Sequence, residues 1–351
     1  MVGPRVFGGW FKSKTGEGKT MLTIRQNLLE TIHGGKPDRF VNQYEYLGLQ
    51  YVNPYSASNP APKCGGEPVK NAWGVTISFP AGMPGAFPVH DAEHIVIKDI
   101  EHWRDYVTAP NVKFSDAEWE PYIAMAEEVD RNEYFLAPFV APGIFEQCHY
   151  LLEIQNCLML LYEEPELMHE LIDYITEWEL QLADELCTHL HPDCVFHHDD
   201  WGTQNSSFMK PEMFEEFYVP AYKKVYGYYR ERGVELVVHH SDSYAANLVP
   251  YMIEMGIDVW QGVMSTNKIE ELIPKYGDKI TFMGGIDSGV VDRADWTREK
   301  VAAEVERACS TYGKFGRGYI PCNTMGDPNT IYKGVYETIS EEIDRMSKIM
   351  F

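Results

Sequence analysis

The sequence predicts an α/β protein, a (β/α)8 TIM barrel with a long insertion after the first strand. Three observations carry this. From about residue 135 onward, short apolar runs alternate with longer stretches of helical periodicity, and repeated strand–helix alternation implies right-handed crossovers and a parallel sheet. Seven or eight such units over 351 residues suit one closed barrel. No Gly-rich dinucleotide fingerprint follows the first strand, which counts against a doubly wound open sheet.

The elements follow in order. Residues 1–20 are Gly/Lys-rich and mildly basic in an otherwise acidic chain, without the apolar centre of a secretory signal. They are expected to be a disordered leader or extension, and residues 21–351 one barrel domain. Thr23–His33 has Ile24, Leu28, Leu29 and Ile32 on one helical face, Thr23 as N-cap and Gly34-Gly35 as the stop. Arg39–Tyr46 (RFVNQYEY) alternates and is expected to be the first strand. Residues 47–92 are rich in Pro, Gly, Asn and Ser and form the insertion, with strands expected within Asn71–Phe79. Tyr44, Tyr46, Tyr51, Tyr55, Trp73, Phe79 and Phe87 crowd this part of the chain. Such aromatics either build ordinary core or wall a flat apolar ligand.

Strands are then expected at Phe135–Val140, Val195–Asp199, Glu235–His239, Ile257–Gly262, Lys279–Gly284 and Tyr319–Cys322. Helices are expected at Glu146–Glu163, Glu166–His189, Pro211–Arg232, Leu248–Met255, Ile269–Tyr276, Thr297–Tyr312 and Asn329–Met350.

A hydrophobic fraction of 44% is ample for a large core. The formal net charge of −23 argues against nucleic acid and anionic membrane partners, whose phosphates need Lys and Arg. No apolar run reaches the length needed to span a bilayer. Seven scattered cysteines without CxxC spacing argue against a disulfide framework and fit a reducing cytoplasm.

Three apolar strands end in clustered ionisable residues: Cys194–Gln204 (CVFHHDDWGTQ), Glu235–Asn247 (ELVVHHSDSYAAN) and Arg317–Asp327 (RGYIPCNTMGD). Barrel enzymes assemble their sites at the carboxyl ends of strands. His239, His240, Asp199, Asp200, Asp242 and Cys322 are therefore candidate site residues. Strand alternation pairs His197 with Asp199 on one face and His198 with Asp200 on the other. A one-residue error of phase exchanges His239 and His240, so the sequence leaves open which of them faces inward. His, Cys and carboxylate together are a zinc ligand set: either His239, Cys322 and a carboxylate, Asp199 or Asp242, hold zinc, or His239 or His240 serves as a proton donor. Gly284 and Gly285 allow close backbone approach to a ligand, or make a tight turn; Asp287 orients a base or caps the next helix. There is no Gly-x-Ser-x-Gly elbow and no P-loop.

From about Met21 onward the chain resembles the uroporphyrinogen decarboxylase superfamily. The resemblance rests on LLETIHGGKPDRF (Leu28–Phe40), AWGV (Ala72–Val75), DDWGTQ (Asp199–Gln204), KPEMFEEFYVPAYK (Lys210–Lys223), GGID (Gly284–Asp287) and Pro321-Cys322. The decarboxylases of that superfamily carry an Arg-rich segment after the first strand, which holds the substrate's carboxylates. Here the region reads VNQYEYLGLQYVNP, with no Arg or Lys. The corrinoid-dependent methyltransferase branch is closer. Its thiol-type members bind zinc through His-x-Cys and a later Cys. The corresponding residues here are His239, Ser241 and Cys322, so one thiolate is lost. HHSDSYAANLVPYMIEMGID is similar to the veratrol-type methyltransferases of O-demethylase systems. The resemblance implies an aromatic methyl ether as donor and, as acceptor, a corrinoid carried by a partner protein. Alternatives are another methyl donor, such as methanol or a methylated thiol or amine, and decarboxylation. A homodimer is compatible with the sequence.

Overall fold

The computed structural model describes residues 21–83, 85–326 and 330–351; the leader expected at 1–20, and Asp327, lie outside the described residues. The chain begins as expected. Ile24–Ile32 is helical, and Thr23 and Gln26 form a reciprocal capping box.

The strands, in chain order, are β1 (Leu47–Gln50), β2 (Val69–Lys70), β3 (Thr76–Ser78), β4 (Phe87–Pro88), β5 (Phe135–Val140), β6 (Cys194–His198), β7 (Leu236–His240), β8 (Val259–Val263), β9 (Thr281–Ile286) and β10 (Tyr319–Asn323). Seven of them form one parallel sheet in the order β1-β5-β6-β7-β8-β9-β10, with helices in the crossovers. This is the barrel-type α/β architecture that the alternation predicts. The insertion between β1 and β5 holds short helices and the small antiparallel sheet β2-β3-β4.

The first strand lies further along than Arg39–Tyr46. Gln43 has φ 52°, and turns run from Asn42 C=O to Glu45 N–H and from Tyr44 C=O to Leu47 N–H. The Asn42 and Gln43 amides turn instead to the final helix, Val335–Met350, bonding Asp344 at 2.9 Å and the Ser340 hydroxyl at 2.8 Å. The same segment spans the seam between β1 and β10, where the Gln43 N–H donates to the Pro321 carbonyl at 3.3 Å.

Alternation sorts the strand residues into two cores. Phe135, Ala137, Cys194, Phe196, Val238, Met283 and Cys322 pack together inside the sheet's curl. Leu136, Val140, Val195, Val237, Trp260 and Phe282 pack outward on the helices. Both faces are buried, so the strands read as continuous apolar runs. Two expected helices are broken. Glu146–Glu163 divides at Glu153, φ 72°, into Ile144–Leu152 and Ile154–Glu163; Pro211–Arg232 divides at Tyr218, with Pro220 inside the first turn of the second piece.

Candidate active site

The ends of β6 and β7 lie side by side, His197 opposite His239 and His198 opposite His240. Each strand therefore sends one histidine outward and one inward.

The outward pair is consumed by structure. His197 Nε2–H donates to Glu179 of the helix Pro165–Leu190 at 2.6 Å, both side chains being buried. His239 Nε2–H donates to the Asp199 carbonyl at 3.1 Å, so its Nδ1 accepts from the Tyr226 hydroxyl at 2.8 Å. Its ring stacks on Trp201 at 3.9 Å. Burial, with His197 nearby, holds His239 well below the usual histidine pKa. A neutral imidazole with both nitrogens engaged has no lone pair left for a metal.

The inward pair is different. His198 and His240 stack at 4.4 Å. His198 Nδ1–H donates to the Glu146 carboxylate at 3.0 Å, and His240 Nδ1–H donates to the Gln261 side-chain oxygen. Each ring therefore presents its Nε2, which has no hydrogen-bond partner among the described residues. These two rings and Asp200 offer donor atoms that all lie within 4.8 Å of one another. Asp200 Oδ1 also accepts the Asp242 N–H at 2.9 Å.

The electrostatics are those of a crowded, largely buried cluster of carboxylates and imidazoles. Burial pushes Glu146 above the usual carboxylate range, against the pull of His198. Burial works to lower His198, but Glu146, Asp200 and Asp199 outweigh it and lift the imidazole to about 10. Burial, and repulsion from His198, lower His240 to about 4. Burial and the Asp200 charge raise Asp242 to about 8. Neighbouring groups pushed apart in this way mark acid–base sites more often than plain surface.

Aromatic rings flank the cluster. Phe139 lies 6.2 Å from His198, 5.7 Å from Phe196 and 5.2 Å from Tyr51; Phe196 lies 6.3 Å from both Tyr44 and His240. Of the aromatics singled out in the sequence, Tyr44 and Tyr51 reach this wall. Tyr46 fills the inner core against Met283, while Tyr55 and Trp73 pack on Trp178.

The zinc set expected from the sequence, His239, Cys322 and Asp199, does not converge. His239 and Asp199 face the helix layer, where the Asp199 carboxylate takes the Phe145 and Glu146 N–H groups and the Tyr222 hydroxyl. Cys322 faces the interior among Tyr44 and Gln261, and burial pushes its thiol far up. Gly284 and Gly285 serve packing rather than an open approach: a Cβ would meet the Val263 carbonyl oxygen at 2.5 Å and the Tyr312 ring at 2.8 Å. Asp287 caps the short helix Ser288–Val291 through the Gly289 N–H at 2.8 Å.

His198, Glu146 and Gln261 were not among the residues picked from the sequence. Gln261 had a signal: it is a polar side chain in the otherwise apolar strand β8, two residues after the inward-facing Val259. Glu146 had a weaker one, a carboxylate in the apolar turn IFEQC.

A family model described as "Uroporphyrinogen decarboxylase (URO-D)" matches residues 69–323. Among solved structures, the chain is similar to a methyltransferase from Methanosarcina mazei, with 13% identity, 92% of this chain and 99% of that chain covered, and a TM-score of 0.65. It is more distantly similar to a B12-independent methionine synthase from Shewanella sp. W3-18-1, with 14% identity, 66% and 65% covered, and a TM-score of 0.43. At 13% identity the likeness to the Methanosarcina mazei protein is one of fold. No protein of curated function matches the chain. The family model spans well over half of the sequence, over the stretch that supplies every strand from β2 to β10, and the chain belongs to the uroporphyrinogen decarboxylase (URO-D) family.

Proposed function

We propose that this protein transfers the methyl group of an aromatic methyl ether to the reduced corrinoid of a partner protein. The observation that carries the reading is the pairing of an aromatic wall, Phe139 and Phe196 with Tyr44 and Tyr51, with the cluster His198–Asp200–His240. The segment where a porphyrinogen decarboxylase keeps arginines supplies two of those aromatics and no cation. A polycarboxylate substrate would find no Arg or Lys in that segment, and a neutral ether needs none.

In the reaction the ether O–CH3 bond breaks, the methyl carbon passes to the cobalt of the acceptor, and an aryl oxide is left behind. The chain's work is positioning and leaving-group stabilisation. The rings of Phe139 and Phe196 hold the arene with its ether oxygen at the cluster. Without a metal, His198, carrying a proton up to about pH 10, and Asp242, protonated up to about pH 8, are able to place a proton beside that oxygen. Zinc, which the resemblance to methyltransferases implies, would suit this cluster in place of the His198 proton. Two imidazoles and one carboxylate converge, and one nitrogen of each ring is held by a carboxylate or an amide oxygen, as in settled metal sites. His198, Asp200 and His240 would hold the ion, which would supply Lewis-acid stabilisation of the aryl oxide.

Donor profiling tests the reading. Purified protein, a reduced corrinoid protein and a panel of methoxyarenes, methanol, methylamines and methyl thioethers should give methyl transfer from the methoxyarenes. Transfer confined to methanol or an amine, or carbon dioxide released from a carboxylic substrate, would refute it.

A further inference from the structure

Asp199 follows His198 at the end of β6, yet its carboxylate turns away from the cluster and closes the start of another element. Oδ2 accepts the Phe145 N–H at 2.8 Å and Oδ1 the Glu146 N–H at 2.9 Å. These are first-turn N–H groups of the helix Ile144–Leu152, which that helix cannot satisfy itself. Its N-cap is Gly143, with no side chain to do so, and the absence of a Cβ there makes room for Asp199. A Cβ on Gly143 would lie 2.5 Å from the Asp199 Cβ. The Tyr222 hydroxyl donates to the same carboxylate from the helix Val219–Glu231.

The bonds form a closed circuit. Asp199 is peptide-bonded to His198; its carboxylate holds the Glu146 N–H; the Glu146 carboxylate returns to His198 Nδ1 at 3.0 Å. Both Asp199 and Glu146 are buried, so neither carboxylate can exchange its partner for water. The Asp199 main chain is held too, its carbonyl by His239 and its N–H by the His240 carbonyl at 3.1 Å.

We infer that Asp199 is a positioning residue. By clamping the first turn of the helix Ile144–Leu152 it sets the Glu146 carboxylate on His198 Nδ1, so that His198 Nε2 is aimed at Asp200 and His240. The inference rests on the reading of that cluster as the metal and leaving-group centre. It assigns Asp199 no contact with substrate or metal. Asparagine at position 199 offers one acceptor and turns its amide hydrogens toward the other N–H, so the clamp is half undone while volume is kept.

The test uses the full chain, with Asp199→Asn, Glu146→Gln and the double variant, and zinc affinity read by competition with a chromophoric chelator. Each single variant should weaken zinc binding about 10–100-fold, the range of partners that orient a ligand. The double variant should be no weaker than the weaker single one, because both break the same circuit. Wild-type affinity in Asp199→Asn beside a weakened Glu146→Gln, or losses that multiply, would overturn the inference. If Asp199→Asn does not fold, Gly143→Ala, which displaces the carboxylate without removing it, must weaken zinc in its place; unchanged affinity counts against the clamp. If the wild type binds no zinc, the metal reading fails separately. The inference is then read from the ring ¹⁵N shifts of His198, which must move alike in Asp199→Asn and Glu146→Gln. Unmoved shifts in the first would overturn it.

Discussion

His198 and His240 stack with ring centroids 4.4 Å apart and planes 17° apart, and each has its Nδ1 tied back to an oxygen, Glu146 for one and Gln261 for the other. Two like-shaped rings held this closely cannot both carry a charge without cost, and their shifts part accordingly, to about 10 and about 4. Near neutral pH and without a metal, one ring is an imidazolium and the other a free base.

His240 and His239 should therefore fail differently. His240→Ala removes a free Nε2 from the cluster and should abolish stoichiometric zinc binding while leaving the melting temperature within a few degrees. His239→Ala leaves the Tyr226 hydroxyl and the Asp199 carbonyl unpaired in the dry helix layer, at about 1–3 kcal/mol for each. It should lower stability by roughly 3 kcal/mol, and the folded fraction should keep its zinc. Elemental analysis beside urea unfolding decides, and the reverse pattern would show the site assembled on the wrong face.

Phe139→Ala should act on the donor. The ring makes contacts with Tyr51, Phe196 and His198. An aromatic pair is worth about 1 kcal/mol beyond its area. With some lost burial, KM for a methoxyarene should rise roughly 10-fold and kcat change little. A large fall in kcat with KM unchanged would remove Phe139 from the binding wall.

Only one thiol should be reactive. Cys64 is exposed and the other six cysteines are buried. Burial also raises the pKa of Cys322, Cys148, Cys157, Cys187, Cys194 and Cys309. A chromogenic disulfide should titrate one thiol quickly in the native protein, and Cys64→Ser should remove it. Fast modification of Cys322 would put that thiol back among the ligand candidates.

Stability should fall as pH rises through neutrality, in part through Glu45. Burial, with Asp344 and Asp38 nearby, raises this carboxyl to about 7, against the Asn42 N–H and Arg39. A folded pKa above the unfolded one gives a contribution that is complete below about pH 4.5 and lost as pH climbs through 7. The carboxyl is only half-buried, so the effect is about 1–2 kcal/mol. Glu45→Gln should flatten this part of the pH–stability curve and leave the protein more stable than wild type at pH 8. The same loss of unfolding free energy between pH 5 and pH 8 in wild type and Glu45→Gln, read by denaturant titration, would contradict it.

The barrel was legible because its strands and helices differ in period and length, and because polar residues cluster where apolar strands end. The phase within those strands was not legible. In β7 every residue is buried, so hydropathy gives no sign of which histidine of the pair faces inward. Asp199 reads as a site residue by position, and only the approach of Gly143 from another element turns it into a helix cap. The first strand was misplaced by the alternation of RFVNQYEY. Its Asn42 and Gln43 bond to a helix some 300 residues away in sequence, which local pattern cannot reveal. Cys322 looked like a ligand from its place at a strand end level with the histidines and aspartates, but it lies sealed in the inner core.

The most direct test of the account follows the acceptor and the leaving group together. Wild-type protein, a methoxyarene and a corrinoid protein held as Co(I) are mixed, and the Co(I) absorbance and released phenol are read in the same cuvette. The account predicts loss of Co(I) matched one-for-one by phenol, and neither signal above background with His240→Ala. Phenol and methylcorrinoid formed at the wild-type rate by His240→Ala, or no transfer by the wild type from any methoxyarene, would contradict it.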